Sequence, residues 1–205
     1  MAAVPSIKGS IFAVVVEDAG KLLARNELER RELSRWLEAS DVALLGQKIL
    51  PSDWYDIRAY RRFAELLRDV EGGGSNDYLR QAGKRTARRL LEAGLYAQLR
   101  YLHRTEKEQA SDPQARYEAF GRDLRLLTTI SSSTLNFTRW EVTPDPEFRG
   151  RYRIDVHEAG ALPEVFCWRC EGFVNEMATQ HGDPDLWRFE RIAPDRVAYR
   201  MIRSI

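Results

Sequence analysis

The strongest constraint in this chain is a change of period. Up to Ser131-Ser132-Ser133, apolar residues recur every three or four positions; beyond it they recur every second position. Thr138, Trp140 and Val142 alternate with Phe137, Arg139 and Glu141, and Tyr152, Ile154 and Val156 alternate with Arg153, Asp155 and His157. Two closing strands follow, with Trp187, Phe189 and Arg191 on one and Val197, Tyr199 and Met201 on the other. Between the strand pairs, Pro163 opens a helix that Gly182 and Pro184 stop near His181. A chain that changes period once in this way is α+β. Its helical N-terminal two-thirds packs on a small antiparallel sheet of strand-strand-helix-strand-strand order. One domain is expected over 1–205, helical over about 7–128 and sheet plus helix over about 135–203.

The helical part divides at its breakers. Residues 8–24 carry Ile11, Val14 and Val15 at helical spacing, and Asn26 can cap a second helix to Ala39. Pro51 disfavours helix just before it, and Ser52, Asp53 or Asp56 can cap a helix over 57–70. Glu71-Gly72-Gly73-Gly74-Ser75-Asn76 is a flexible break. A long helix over 77–103 follows, with small residues Ala82, Gly83, Ala87 and Gly94 that let another helix come close. One more helix spans 113–127.

A chain of 205 residues buries roughly 70% of its unfolded surface and needs no metal or disulfide to fold. Its net charge of +1 excludes a nucleic-acid binder held by bulk charge, leaving only a local patch. The apolar run Ile11–Val16 is far shorter than the about 20 residues of a membrane span, and Glu17 and Asp18 close it. No signal peptide is expected either, which makes the cytoplasm the default location.

Two segments carry a resemblance. "ALLGQKILPSDWYDIRAYRRFAELL", a glycine-rich break and "YLRQAGKRTARRLLEAGLYAQL" resemble an uncharacterised bacterial family expanded as paralogues in myxobacteria. The shared marks are Trp54-Tyr55 at a helix start and Gly83 inside a later helix. "CEGFVNEMATQHGDPDLWRFERIAPDRVAYRMI" is similar to the closing pattern of a wider superfamily. That superfamily holds the 4-vinyl reductase domains, the haem nitric-oxide-binding domains and the Golgi tethering-complex subunits. The resemblance implies a pocket between helices and sheet, and members that bind hydrophobic molecules or haem, or assemble with other subunits.

The candidate chemistry is sparse. The haem-binding relatives use an axial histidine and a Tyr-x-Ser-x-Arg clamp; the clamp is absent here and His103 has polar neighbours. The expected cofactor is therefore none, with haem disfavoured. Cys167 and Cys170 have C-x-x-C spacing, yet zinc wants four ligands and a second pair is missing. Cys170 shares an apolar face with Phe166, Phe173 and Met177, so packing is the expected role; a metal or redox site on Cys167 and Cys170 is the alternative. Arg80, Lys84 and Arg88 form a basic ridge without interleaved aromatics, which reads as a solvated face paired with acids. No Gly-x-Ser-x-Gly elbow, Walker loop or dinucleotide fingerprint occurs, so no catalytic residue is named.

Aromatics with a few polar groups line ligand pockets. The expected lining is Trp54, Tyr55, Tyr60, Phe63, Trp140, Phe166, Cys170 and Phe173. The expectation is a non-enzymatic sensory or interaction domain, homodimeric, that takes a small hydrophobic molecule. A ligand-free scaffold of the same fold is the alternative.

Overall fold

A computed structural model describes residues 4–92, 112–180 and 182–205. The chain is mixed helix and sheet, with helices first and an antiparallel four-stranded sheet later, as the period change predicts. It divides into two compact units: Met1–Leu79, Ser133–Phe137 and Ala161–Cys167 form the first, and Arg80–Ser132, Thr138–Gly160 and Trp168–Ile205 the second.

The first unit holds strand β1 (Ser6–Lys8), helix α1 (Gly9–Ala24), a 3-10 turn (Arg30–Arg35), helix α2 (Ala39–Leu44), strand β2 (Trp54–Asp56) and helix α3 (Ile57–Val70). Helix α3 begins where a cap was expected, and Asp56 Oδ1 accepts from the Arg58 backbone N–H at 2.8 Å. It buries Ile57, Tyr60, Phe63, Ala64 and Leu67 on one face, while α1 buries Phe12, Val15, Val16, Ala19 and Leu22. Phe12 lies at the centre, stacked on Tyr55 at 4.8 Å and edge-on to Phe63 at 5.8 Å.

The helix expected over Asn26–Ala39 is absent. Asn26 ends α1 instead of starting a helix, because it adopts the left-handed conformation (φ 56°). Its N–H donates to the Leu23 carbonyl and the Glu27 N–H to that of Leu22, which satisfies two open carbonyls of α1. The chain then forms only the 3-10 turn, with Leu33 buried, before α2. The first helix was also expected to start at Lys8, which instead ends β1. Strand β1 pairs antiparallel with β2, with Ile7 opposite Tyr55. Gly9 is required at the junction: a Cβ there would lie 2.0 Å from the Leu50 carbonyl oxygen.

The second unit contains the greater part of helix α4 (Asn76–Glu92) and of α6 (Glu164–Gln180), with all of α5 (Pro113–Ser132). Its sheet comprises β3 (Arg139–Pro144), β4 (Tyr152–His157), β5 (Trp187–Ala193) and β6 (Arg196–Met201), in the order β3-β4-β6-β5 with every neighbour antiparallel. The four strands match the alternating segments of the sequence. The long helix expected over 77–103 is seen as α4 to Glu92; Gly94 and His103 lie outside the described residues. Within this unit α4 meets α6 at two glycines. A Cβ at Gly83 would stand 1.8 Å from the Arg169 carbonyl oxygen, and one at Gly172 would stand 1.9 Å from that of Arg80. Close approach through small residues is thus realised at Gly83.

Candidate functional site

An apolar cleft lies between α5, α6 and the start of β5, within the second unit. Helix α5 brings Phe120, Asp123, Leu124 and Leu127 to it at i, i+3, i+4 and i+7, one face of a helix. Helix α6 contributes Val174, Met177 and Ala178, and β5 contributes Trp187. The free space is about 20 Å³, room for one water-sized molecule. The Phe120 and Trp187 rings lie nearly parallel with centroids 6.3 Å apart.

Trp187 is held by its backbone. The Asn175 side chain donates to the Trp187 carbonyl at 2.9 Å and accepts from the Trp187 N–H at 2.7 Å. Asn175 is 2% exposed, so its amide satisfies two groups that water does not reach. Asn175→Ala is expected to lower stability by about 2 kcal/mol. A urea melt with an unchanged midpoint would show that the edge of β5 is satisfied some other way.

Behind the cleft, α5 packs on β4. A Cβ at Gly121 would stand 2.2 Å from the Tyr152 hydroxyl oxygen. Tyr152 stacks on Tyr117 at 4.3 Å and its hydroxyl donates to the Tyr117 carbonyl at 3.2 Å. Burial, and then the neighbouring Tyr117, pushes the Tyr152 hydroxyl up to about 12.

The aromatics singled out from the sequence lie in both units. In the first, Tyr60 is fully buried and meets Phe166 edge-on at 5.7 Å, while Phe63 is fully buried against Phe12. Tyr55 accepts from the Leu50 N–H at 3.0 Å. Trp54 is 44% exposed with the Lys8 ammonium 4.2 Å above its ring, a cation–π pair. In the second unit, Trp140 stacks on Tyr199 at 6.0 Å, and Cys170 and Phe173 are half-buried on α6. Cys167 is fully buried in the first. Two members of the basic ridge meet acids of α6: Arg80 Nε donates to Glu171 at 2.7 Å and Arg88 Nε to Glu176 at 2.8 Å.

Sequence reasoning missed the cleft. Its α5 wall reads as an ordinary helical stripe, and no local signal puts that stripe against Val174 and Met177. Asn175, a polar residue among Phe173, Val174, Met177 and Ala178, was the one available sign of a buried polar task.

No family model matches the chain, and no curated protein matches it. Solved structures do. The Fe(II) unliganded H-NOX protein from K. algicida is similar over 95% of this chain and 95% of its own, at 10% identity and a TM-score of 0.58. A point mutant of T. tengcongensis H-NOX is similar over 97% of this chain and 100% of its own, at 10% identity and a TM-score of 0.52.

This finding corrects the expectation that the chain has no cofactor and that haem is disfavoured. The K. algicida protein, which has this fold, is described in its Fe(II) form, so the absence of a cofactor cannot be expected of the fold. The cleft does not fit haem. Haem iron takes an axial His, Cys, Met or Tyr. His157 is the one described histidine, and its Nε2 lies 3.6 Å from Glu141 Oε2 on the sheet. No cluster of three or more His, Cys, Asp or Glu able to hold a metal occurs among the described residues, and the cleft is far too small for a porphyrin. His103 and His181 lie outside the described residues. The distant superfamily relation read from the sequence agrees with these likenesses at the level of fold. What the chain shares with the H-NOX proteins is their fold.

Proposed function

We propose that this chain is a non-enzymatic sensory domain that binds a small ligand and signals through protein contacts as a homodimer. The observation that carries the reading is the likeness to H-NOX structures along nearly the whole chain. It is an argument from fold, so the site must supply the rest. The cleft supports a ligand of one or two heavy atoms, because its free space is about 20 Å³ and its walls, Asp123 apart, are apolar: Phe120, Leu124, Leu127, Val174, Met177 and Trp187. Trp54 and Tyr55 are the candidates on the first unit.

Native mass spectrometry of the protein, sprayed intact and after denaturation, with and without one equivalent of ferric haem, tests this reading. The expected result is a homodimer carrying an added mass that leaves on denaturation. For a ligand of the cleft, Leu124→Trp abolishes the adduct by filling the space. If the adduct is haem, His103→Ala and His181→Ala are compared by absorbance for loss of the Soret band. A bare homodimer under both conditions would sink the ligand reading in favour of a scaffold.

A further inference from the structure

A second, larger cavity of about 420 Å³ opens in the second unit, away from the cleft. That volume suits a drug-sized ligand. It lies between the first turns of α5 and the β3–β4 hairpin. Its apolar walls include Pro113, Tyr117, Pro144 and Phe148, and its polar side carries Arg149 and Arg151.

The hairpin that forms it is well fastened. The Asp145 N–H donates to the Arg151 carbonyl at 2.9 Å, and the Tyr117 hydroxyl donates to the same carbonyl at 3.2 Å. Gly150 makes the bend at φ 76°, where a side chain would be strained. Phe148 is 44% exposed, unusual for a large apolar residue, with the Arg151 guanidinium 4.5 Å from its ring centre.

The charges here are incomplete. Several other arginines of this unit are paired: Arg116 with Asp183, Arg153 with Asp155, Arg188 with Asp185, and Arg200 with Glu147. Arg149 and Arg151 meet no carboxylate among the described residues. Arg151 donates only to the Met201 carbonyl, at 3.3 Å, and its Nε is buried with no acceptor. The one acidic side chain of the lining, Asp145, forms no ion pair with either. Its side chain is fully buried, accepts from the Glu147 N–H at 2.9 Å and lies 3.6 Å from Arg200 Nε. Two guanidinia without counter-ions beside apolar walls are the complement of an oxyanion attached to a ring.

We propose that this cavity binds a small aromatic oxyanion, its anionic group on Arg149 and Arg151 and its ring against Phe148, Tyr117 and the two prolines. The site is separate from the cleft and does not rest on the sensory reading. Titrations of the isotope-labelled protein with benzoate and with phenyl phosphate, followed by amide NMR shifts, test it. The controls are neutral benzyl alcohol and inorganic phosphate. Saturable shifts at residues 145–151 are expected with one or both aromatic anions and with neither control. Arg149→Gln, at an exposed position, should weaken that binding at least about tenfold, and Arg149→Lys less. Absence of saturable shifts with both anions, or equal binding of either control, would overturn the proposal. So would full affinity in Arg149→Gln, or shifts confined to the cleft at 120–127 and 174–178.

Discussion

Gly83→Ala and Gly172→Ala should each destabilise the second unit by about 3 kcal/mol, although alanine is the better helix former. The two effects oppose each other, and their sizes decide the sign. Alanine in a helix interior gains up to about 1 kcal/mol over glycine. Against that, the new methyl would lie 1.8 Å from the Arg169 carbonyl oxygen in one case and 1.9 Å from that of Arg80 in the other. Both obstacles are backbone, so no rotamer change relieves them, and α4 and α6 must separate along their contact. Gly20, inside α1, is the matched control: a Cβ there meets nothing within 4 Å. Gly20→Ala should therefore raise stability by about 0.5–1 kcal/mol. Urea melts followed by circular dichroism read all three variants. A Gly83→Ala protein as stable as the parent would show that the two helices do not cross this closely.

How much of this was legible depends on how local each signal is. The strands β3 to β6 were readable because each shows alternation over several residues, and α3 because its apolar face and Asp56 agree on one start. The pair β1 and β2 was not, because each strand has three residues and is defined by a partner about 50 positions away. Asn26 misled for a related reason. The same residue type suits a helix start and the left-handed end of a helix, and only the tertiary setting chose the second. Gly83 was read correctly as a point of close approach, while its counterpart Gly172 gave no local sign of its role.

The site is less legible than the fold. Tyr60, Phe63 and Phe166 could be recognised as bulky and apolar, yet sequence does not tell a core ring from a ring that faces a ligand. The cavity beside Arg149 and Arg151 is invisible for another reason. Both residues occur in a loop among 27 arginines, and only the structure separates those that have carboxylate partners from those that do not.

Glu171→Ala is the other substitution expected to be severe, at about 3–4 kcal/mol, because one buried carboxylate serves two partners. Glu171 is 1% exposed. One oxygen accepts from Arg80 Nε at 2.7 Å and the other from the Phe189 N–H at 2.8 Å. The second bond matters most. Strand β5 is an edge strand, and α6 covers its outer side with Glu171 at Phe189 and Asn175 at Trp187. Arg80 also lies 4.2 Å above the Trp168 ring, which meets Phe189 edge-on at 4.3 Å, so the carboxylate fixes both ends of a packed row. A buried ion pair can often be exchanged for apolar residues at little cost. Here that exchange fails, because Glu171→Leu with Arg80→Leu would still leave the Phe189 N–H without an acceptor. Glu171→Gln keeps the shape but sets an amide N–H₂ against one of two donors, so about half the loss is expected. A double-mutant cycle with Arg80→Ala separates the bonds: Arg80→Ala alone should cost well under half of Glu171→Ala, since its guanidinium is 30% exposed. Equal single-mutant losses would mean that the ion pair, and not the cover over the edge of β5, is what Glu171 contributes.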